Sequence, residues 1–374
     1  MRTSVLVLPI MLALILGAAT AGAAVIHVPA DQPTIQAGVD AAAAGDTVLV
    51  AAGTYTESCH AGPNTNALVF LKEGVHLLAD GEVVIDGQNA CLILAAFSDW
   101  MPGPVCTVEG FTLANGNGNY NPGAVWVEED FRLRLVDCVV VNCSSNIMGG
   151  AIFAMGGGTE LSLENCRFAG NTSAMMGGAL AASVAAVTVT GCVFEDNSAD
   201  RGGALALDTC DDQSVSGCLF VGNQADGPGG ALLVEFGGPP IENCTFVGNL
   251  GEAGVVAAGM NGDPAVVNCL LALNTGGGAF ACVEGGVIAC ACTDAWNNTG
   301  GDWTGCVADQ LGVDGNMSAD PLFCEPAAGI YTIHSASPCA PDNNECGVLI
   351  GAFEVGCGFT AAREATWGAV KSLY

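Results

Sequence analysis

One short sequence pattern recurs about every 26 residues in this chain, and this repeat limits the folds that the chain can adopt. The segments "ENCRFAGNTSAMMGGAL" at 164–180, "TGCVFEDNSADRGGAL" at 190–205 and "SGCLFVGNQADGPGGAL" at 216–232 share a Cys, a Phe, an Asn and a Gly pair in the same order. Self-similarity at a fixed period is typical of stacked-repeat architectures, in which each unit packs against the next.

Four kinds of position define the repeat. A Cys begins each unit, a Phe follows two residues later, an Asn follows five residues after the Cys, and a Gly pair comes next. The Cys positions are Cys138, Cys166, Cys192, Cys218, Cys244 and Cys269, with Gly110 and Cys292 as expected equivalents. The Phe positions are Phe168, Phe194, Phe220 and Phe246. The Asn positions are Asn115, Asn171, Asn197, Asn223, Asn249, Asn274 and Asn297. The Gly pairs are Gly149-Gly150, Gly177-Gly178, Gly202-Gly203 and Gly229-Gly230.

The pieces between these positions read as strands and not as helices. Runs such as "TELSLEN", "VTVTG" and "ALALD" alternate between apolar and polar residues, and Gly and Asn break them before a helical period could develop. Three short strands and three turns in each unit predict one coil of a parallel β-helix. The stacked coils would lie ~4.8 Å apart, so that equivalent Cys and Phe side chains form inward ladders. Side-chain amides of the Asn column would then bond to the next coil.

The start of the chain predicts a cap for this stack. "TIQAGVDAAAAGDTVLVAAGTYTE" predicts a short helix over Thr34–Ala44, with Ile35, Val39 and Ala42 on one face, followed by a strand over Thr47–Ala51. Such a helix would protect the open end of the stack from edge pairing.

These segments resemble known secreted repeat proteins. "VPADQPTIQAGVDAAAAGDTVLVAAGTYTE" is similar to the opening of bacterial right-handed parallel β-helix proteins of the pectin-lyase-like superfamily, and "ADPLFCEPAAGIYTIHSASPCAP" is similar to their closing coil. The FxxN and GGA pairs resemble the repeats of polymorphic outer-membrane proteins. The resemblance implies an all-β, right-handed parallel β-helix, here of about 11 or 12 coils. It implies little about activity, because the superfamily holds lyases, hydrolases and adhesins.

The termini and the cysteines predict an exported protein. Residues 1–23 read as a signal peptide, with Arg2 before an apolar run and small residues at the cleavage site. Residues 24–357 would form the β-helix and residues 358–374 a tail, and no later stretch is long and apolar enough to span a membrane. Disulfides are expected in an exported chain. The candidates are the cysteines outside the ladder, namely Cys59, Cys91, Cys306, Cys324, Cys339, Cys346 and Cys357, while the ladder thiols should stay mostly unpaired.

Charge excludes one class of partner. The chain has 8 Lys and Arg against 38 Asp and Glu, for a net charge of −30. A phosphate-binding groove needs clustered cations, so nucleic acid is excluded as a partner. Arg132 and Arg134 are the one basic pair on a single strand face. Calcium is the cofactor that this composition allows, since carboxylates are its usual ligands, but no cofactor is required.

The strand after each Gly pair carries the candidate binding residues. Glu128, Asp208 and Glu235 occupy one register position, which predicts that this register faces water and that the intervening Val and Leu residues face inward. Trp126 and Phe153 would share the outer face on neighbouring coils. Exposed aromatic rings beside carboxylates suit a sugar ligand, so we predict glycan binding at Trp126, Phe153, Glu128, Asp208 and Glu235.

The leading interpretation is an exported, non-catalytic scaffold at the cell surface or outside the cell, with adhesion or glycan binding as its role. The alternative is a glycoside hydrolase or polysaccharide lyase. Its catalytic residues would be Asp208 and Glu235, whose carboxylates on adjacent coils would lie about 5 Å apart, near the separation in retaining glycosidases. Asp208, Asp211 and Asp212 are the candidate metal ligands if calcium binds. The oligomeric state is left open by the sequence.

Overall fold

The chain folds as an all-β parallel solenoid of about 13 turns, one or two more than the repeat predicts. The computed structural model describes residues 22–62, 64–98, 101–209 and 213–358. Most of the predicted signal peptide, the tail after residue 358, and the candidate ligands Asp211 and Asp212 lie outside these residues, so these assignments remain predictions. Within the described part, no helix has the length and apolar character that crossing a membrane requires.

Three sheets form the sides of the solenoid. The front sheet follows the Gly pairs, the bent sheet contains the strands on both sides of the Cys ladder, and the short sheet follows the Asn column. The strands of the front sheet are His60–Ala61, Asn66–Phe70, Leu92–Phe97, Val125–Glu128, Ile152–Met155, Leu180–Ser183, Leu205–Asp208, Leu232–Gly237, Val256–Gly262 and Phe280–Cys282. Those of the short sheet are Ser144–Ser145, Thr172–Ser173, Ser198–Ala199, Gln224–Pro228, Leu250–Ala253 and Thr275–Gly276.

The bent sheet begins with continuous strands and continues as pairs of shorter strands. The continuous strands are Val25–Val28, Thr47–Tyr55, His76–Asp86 and Cys106–Ala114. The pairs are Arg132–Val136 with Val139–Val141, Glu160–Glu164 with Arg167–Ala169, Ala186–Thr190 with Val193–Glu195, Gln213–Ser216 with Leu219–Val221, Pro240–Glu242 with Thr245–Val247, Ala265–Val267 with Leu270–Ala272, and Ala289–Ala291 with Asp294–Trp296.

A coil therefore contains four strand segments where the repeat predicts three. The extra break lies one residue before each ladder Cys, where the backbone adopts a positive φ. The residues at this corner are Asp137, Asn165, Gly191, Gly217, Asn243 and Asn268, with φ between 51° and 64°. Asp, Asn and Gly are the residue types that tolerate this conformation, and it turns the strand sharply without ending the sheet.

The inward Cys and Phe ladders are confirmed. Cys166, Cys192, Cys218 and Cys244 are buried with free thiols. Phe168, Phe194, Phe220 and Phe246 are fully buried, and their rings stack with centroid separations of 5.0, 4.9 and 4.6 Å. The prediction is wrong at the two ends of the Cys ladder. Phe111 pairs with Cys138 where Gly110 was expected, and Thr293 pairs with Cys269 where Cys292 was expected.

The Asn column runs through the interior as a continuous hydrogen-bonded chain. In Asn197, the side-chain nitrogen donates to Asn223 Oδ1 at 2.9 Å and to the Phe168 carbonyl at 3.0 Å. The side-chain oxygen accepts from the backbone and side-chain nitrogens of Asn171, both at 3.0 Å. The positive φ lies one residue before each column residue, as at Asp196 before Asn197.

The Asn column ends at a carboxylate. Asn298, and not the predicted Asn297, is its last amide, and it accepts from Asn274. Asp302 then takes the place of the next Asn, because its Oδ1 accepts from the backbone and side-chain nitrogens of Asn298, both at 2.8 Å. Asn115 also falls outside the column, since its neighbour Gly116 occupies the aligned position.

The Gly pairs are required by close backbone contacts. The first Gly of each pair has a positive φ, for example 62° at Gly149. The second Gly lies against the next coil, because a Cβ on Gly150 would sit 2.1 Å from the carbonyl oxygen of Gly178. A side chain at either position would therefore strain the turn or separate the coils.

The predicted cap helix is confirmed over Ile35–Ala41. Thr34 begins it as the N-cap, and its hydroxyl accepts from the backbone nitrogen of Ala37 at 3.1 Å. Ile35, Val39 and Ala42 are buried against the first coils as expected. The following strand, Thr47–Tyr55, is longer than predicted. On the outer edge of the first strand, the His27 backbone nitrogen donates to Asp31 Oδ2 at 2.8 Å.

A C-terminal cap closes the other end. It is built from residues 318–358, which include the strands Phe323–Glu325, Ile330–His334 and Val355–Cys357 and the 3-10 helices Pro326–Ala328 and Pro341–Asn343. A further 3-10 helix, Gly305–Val307, lies below the last coil.

Four disulfides lie near the two ends of the described chain. They join Cys59–Cys91, Cys282–Cys306, Cys292–Cys346 and Cys324–Cys357. Six of the seven predicted candidates are thus confirmed. Cys339 is the exception, since it is a free, buried thiol.

Candidate functional site

The five predicted ligand residues lie in two parallel columns on the outer face of the front sheet. Trp126 and Phe153 are paired on adjacent strands of the inner column. Glu128 belongs to the outer column, in which Asp208 is paired directly with Glu235. The residues that alternate with the two columns along each strand point into the core as predicted: Val125, Val127, Ile152, Leu180, Leu205, Leu207, Leu232 and Val234 are all buried.

The inner column is aromatic only toward the N-terminal end. Phe70, Trp126 and Phe153 are all partly exposed there. The Trp126 ring packs edge-on against Phe97, with centroids 5.2 Å apart and ring planes at 80°. We call Phe70, Phe97, Trp126 and Phe153 the aromatic surface. Two of its rings therefore already contact each other, and all four residues are partly exposed, with Phe70, Phe97 and Trp126 packed against buried Ala67, Leu92 and Ala95.

The same column is closed in the middle coils, which corrects the expectation of an open face along the whole sheet. Ala181, Ala206 and Leu233 continue the column from Phe153 and are at most 3% exposed. The turns before the Gly pairs fold over them. A Cβ on Gly202 would lie 3.1 Å from Ala206 Cβ, and one on Gly229 would lie 2.9 Å from Leu233 Cβ. Between Phe70 and Leu233, the inner column is thus partly exposed at Phe70, Trp126 and Phe153, with Ala95 buried between the first two.

The outer column places two carboxyl groups in different environments. Asp208 Oδ2 accepts from the Ser183 hydroxyl at 2.9 Å, and Asp208 Oδ1 accepts from the Thr209 hydroxyl at 2.8 Å. Glu128 is half-buried, and this burial, together with the charge of Glu129, raises the pKa of Glu128.

Glu235 does not face water as predicted. Only 4% of it is exposed, because the Arg201 side chain covers it from the neighbouring turn. Arg201 Nη2 lies 2.6 Å from Glu235 Oε1 and 3.9 Å from Glu284 Oε2. Burial raises the pKa of Glu235, the Arg201 charge opposes that rise, and the carboxylates of Asp208 and Glu284 add to it. Arg201 is a residue that sequence reasoning missed, because its partner lies more than one coil away along the chain.

The other arginines of the described chain are also paired with glutamates of the next coil. Arg132 Nη2 lies 2.8 Å from Glu160 Oε1. Arg134 contacts both oxygens of Glu164, at 2.6 and 2.5 Å, and this pair lowers the pKa of Glu164. Arg167 contacts Glu195. The basic pair found in the sequence, Arg132 and Arg134, is therefore already neutralised.

Two surface depressions lie away from the predicted site. One of about 240 Å³ is lined by Arg132, Arg134 and Glu160 on the bent sheet. Another, of about 360 Å³, is lined by Asp200 and Asp226 beside the short sheet. Among the residues that the structure describes, no group of three or more His, Cys, Asp or Glu side chains is arranged to hold a metal ion. The calcium site predicted at Asp208, Asp211 and Asp212 stays a prediction, because Asp211 and Asp212 lie outside the described residues.

Comparison with known proteins identifies the architecture. No curated protein matches the chain. The family model described as "Right handed beta helix region" matches residues 74–281, which is more than half of the chain. This match spans the Phe ladder and most of the Cys and Asn ladders, together with Phe97, Trp126, Phe153 and Glu235. The chain therefore belongs to the right-handed β-helix family.

Proposed function

We propose that this protein is an exported, non-catalytic β-helix scaffold that binds glycans through its aromatic surface. The main support for this proposal is the cluster of Phe97, Trp126 and Phe153, whose side chains lie on strands of the front sheet and are partly exposed to solvent. Aromatic faces gain from burying the C–H surface of a sugar ring, and rigid placement limits the entropy lost on binding.

The charge distribution favours a neutral or calcium-bridged glycan. With a net charge of −30, the protein would repel a free polyanion. Glu128 lies two residues after Trp126 on the same strand. Its carboxylate can accept hydroxyl hydrogen bonds or help to hold calcium. The four disulfides support export, because such bonds persist in oxidising compartments.

The test is binding of the full chain to a glycan array, with and without calcium, followed by titration of each glycan that binds. Trp126→Ala combined with Phe153→Ala should weaken binding at least tenfold, because both stacking faces are lost. Met175→Ala is the matched control, since it removes an exposed apolar side chain elsewhere on the surface. Unchanged binding by the double variant would show that the ligand sits elsewhere, and no binding by the parent protein would leave only the scaffold role.

A polysaccharide hydrolase or lyase remains the second candidate, and one observation favours it. Asp208 and Glu235 are paired on adjacent strands in different environments, a pattern that can separate an acid from a base. The ion pair between Glu235 and Arg201 opposes this role because it occupies the carboxylate. Assays for new reducing ends and for unsaturated uronates, on parent and Glu235→Gln protein, test it. Turnover by the parent that Glu235→Gln abolishes would replace the scaffold proposal.

A further inference from the structure

A buried carboxyl group lies between the last coil and the C-terminal cap. Asp294 begins the last strand of the bent sheet and is 0% exposed. Its register neighbour Leu270 belongs to a second apolar cluster, separate from the core of the solenoid. The buried members of this cluster are Leu270, Ala272, Ile333, Cys339, Ala340 and Ile350. Docking of the cap is therefore what removes the Asp294 side chain from water.

Asp294 accepts two hydrogen bonds, and the part of the chain that the structure describes gives it no basic partner. Its Oδ1 accepts from the Ala319 backbone nitrogen at 3.0 Å, and its Oδ2 accepts from the Cys339 thiol at 3.2 Å. The charged groups that face it are the carboxylates of Asp302, from the loop below the last coil, and Asp320, from the start of the cap. No Lys, Arg or His of the described residues forms an ion pair with Asp294. An ionised Asp294 is thus buried against two like charges.

Several other attachments of the cap involve no ionisable group. The Gly351 backbone nitrogen donates to the Asn268 carbonyl at 2.8 Å, and the Ala352 backbone nitrogen donates to the Thr245 hydroxyl at 2.9 Å. The disulfide Cys292–Cys346 ties the cap to the last coil. If the cap undocked, this bond would keep it near the solenoid, so that opening is local and reversible.

We propose that docking of the C-terminal cap is coupled to pH through the buried carboxyl group of Asp294, so that the cap is held more tightly in acidic than in alkaline solution. The proposal rests on the burial of Asp294, its two carboxylate neighbours and the lack of a cationic partner among the described residues, and it is independent of glycan binding.

The sign follows from linkage. Burial, with the charges of Asp302 and Asp320, raises the pKa of Asp294 to about 7 from the ordinary value of 3.8. An acid with a raised pKa in the docked state favours docking when it is protonated. Docking is therefore strongest below pH 3.8, weakens as pH rises through the interval up to about 7, and is constant above it. Within that interval the opening constant should rise by up to about tenfold per pH unit.

Hydrogen exchange of the full, disulfide-intact chain tests the proposal. Opening constants of the amides in Ile330–His334 and of residues 348–352 would be measured from pH 4 to pH 8, after correction for the intrinsic exchange rates. We expect them to rise with pH in the parent protein, whereas amides of the central strand Val193–Glu195 should show no such trend. A pH-independent opening constant for the cap in the parent would overturn the proposal without any variant.

Three variants identify the group whose ionisation causes the pH dependence of cap opening. Asp294→Asn should make the opening constant of the cap independent of pH, because the side chain no longer ionises. Cys339→Ser should keep the pH dependence, because its hydroxyl can still donate to the carboxylate. Asp320→Asn should move the midpoint to lower pH by removing one like charge. An Asp294→Asn protein with the slope of the parent would assign the effect to another group and overturn the proposal.

Discussion

The buried Asn side chains show how one residue type can hold a stack of coils together. Each amide has both a donor and an acceptor, so one side chain can bond to the coil before it and to the coil after it. Asn197 makes four such hydrogen bonds in an interior position that water does not reach. The column therefore satisfies the backbone groups at the turns, which would otherwise be left buried without partners.

Asn197→Ala should lower the free energy of unfolding by about 3 kcal/mol or more. The substitution leaves the Asn171 backbone nitrogen and the Phe168 carbonyl without partners, and each such buried group costs about 1–3 kcal/mol. Urea unfolding followed by circular dichroism measures the change. Thr188→Ala, on the exposed face of the bent sheet, is the control and should change the stability by about 0.5 kcal/mol or less. Equal stabilities of the two variants would contradict the role of the column.

At the scale of the elements, the Cys ladder and the disulfides show that this chain uses cysteine in two ways. Cys166, Cys192, Cys218 and Cys244 immediately precede equivalent strands and serve as small apolar side chains. The paired cysteines lie where the repeat is interrupted, at the hairpin near Cys59 and in the last coils and the cap. Regular coils are held by their ladders, whereas irregular segments are held by covalent bonds.

Alkylation of the unfolded but unreduced protein, followed by peptide mapping, should find ten modified cysteines among the described residues. The ten are Cys106, Cys138, Cys143, Cys166, Cys192, Cys218, Cys244, Cys269, Cys290 and Cys339. In the folded protein the same thiols should react slowly, because burial keeps them from the reagent and raises the pKa of Cys106 and Cys143 to about 12. A disulfide between any two ladder cysteines would contradict the arrangement.

The coil, the cap helix and the inward ladders could be predicted from the sequence because each rests on a periodic signal. The ends of the ladders could not be predicted, because the number of residues per coil changes there. Thr293 takes the ladder position expected for Cys292, a shift of one residue. The environment of Glu235 also escaped prediction. Its exposure depends on where the long Arg201 side chain comes to rest, and no local pattern of residues encodes that contact.

For the whole molecule, the repeat makes length a variable that can be changed in units of one coil. Deleting residues 166–191 joins Asn165 to Cys192 and keeps every ladder in register, so the shortened chain should still unfold in one cooperative urea transition. Deleting only residues 166–178 removes half a coil and brings unlike positions together. That variant should show no cooperative transition by circular dichroism. If the variant that lacks residues 166–191 did not fold, the coils would not be interchangeable.

Asp302 gives the molecule a property that its coils do not have. In the terms of polymer chemistry, each coil offers amide donors and acceptors to the next coil, as a monomer does in a growing chain. The Asn column could therefore in principle continue without limit. A carboxylate can only accept, so at Asp302 the series of donors and acceptors is terminated. At the first strand of the bent sheet, Asp31 Oδ2 accepts from the backbone nitrogen of His27, so a side chain also occupies this donor. The finite length of this solenoid thus depends on covered ends, since the helix Ile35–Ala41 and the C-terminal cap block further coils while Asp302 ends the Asn column.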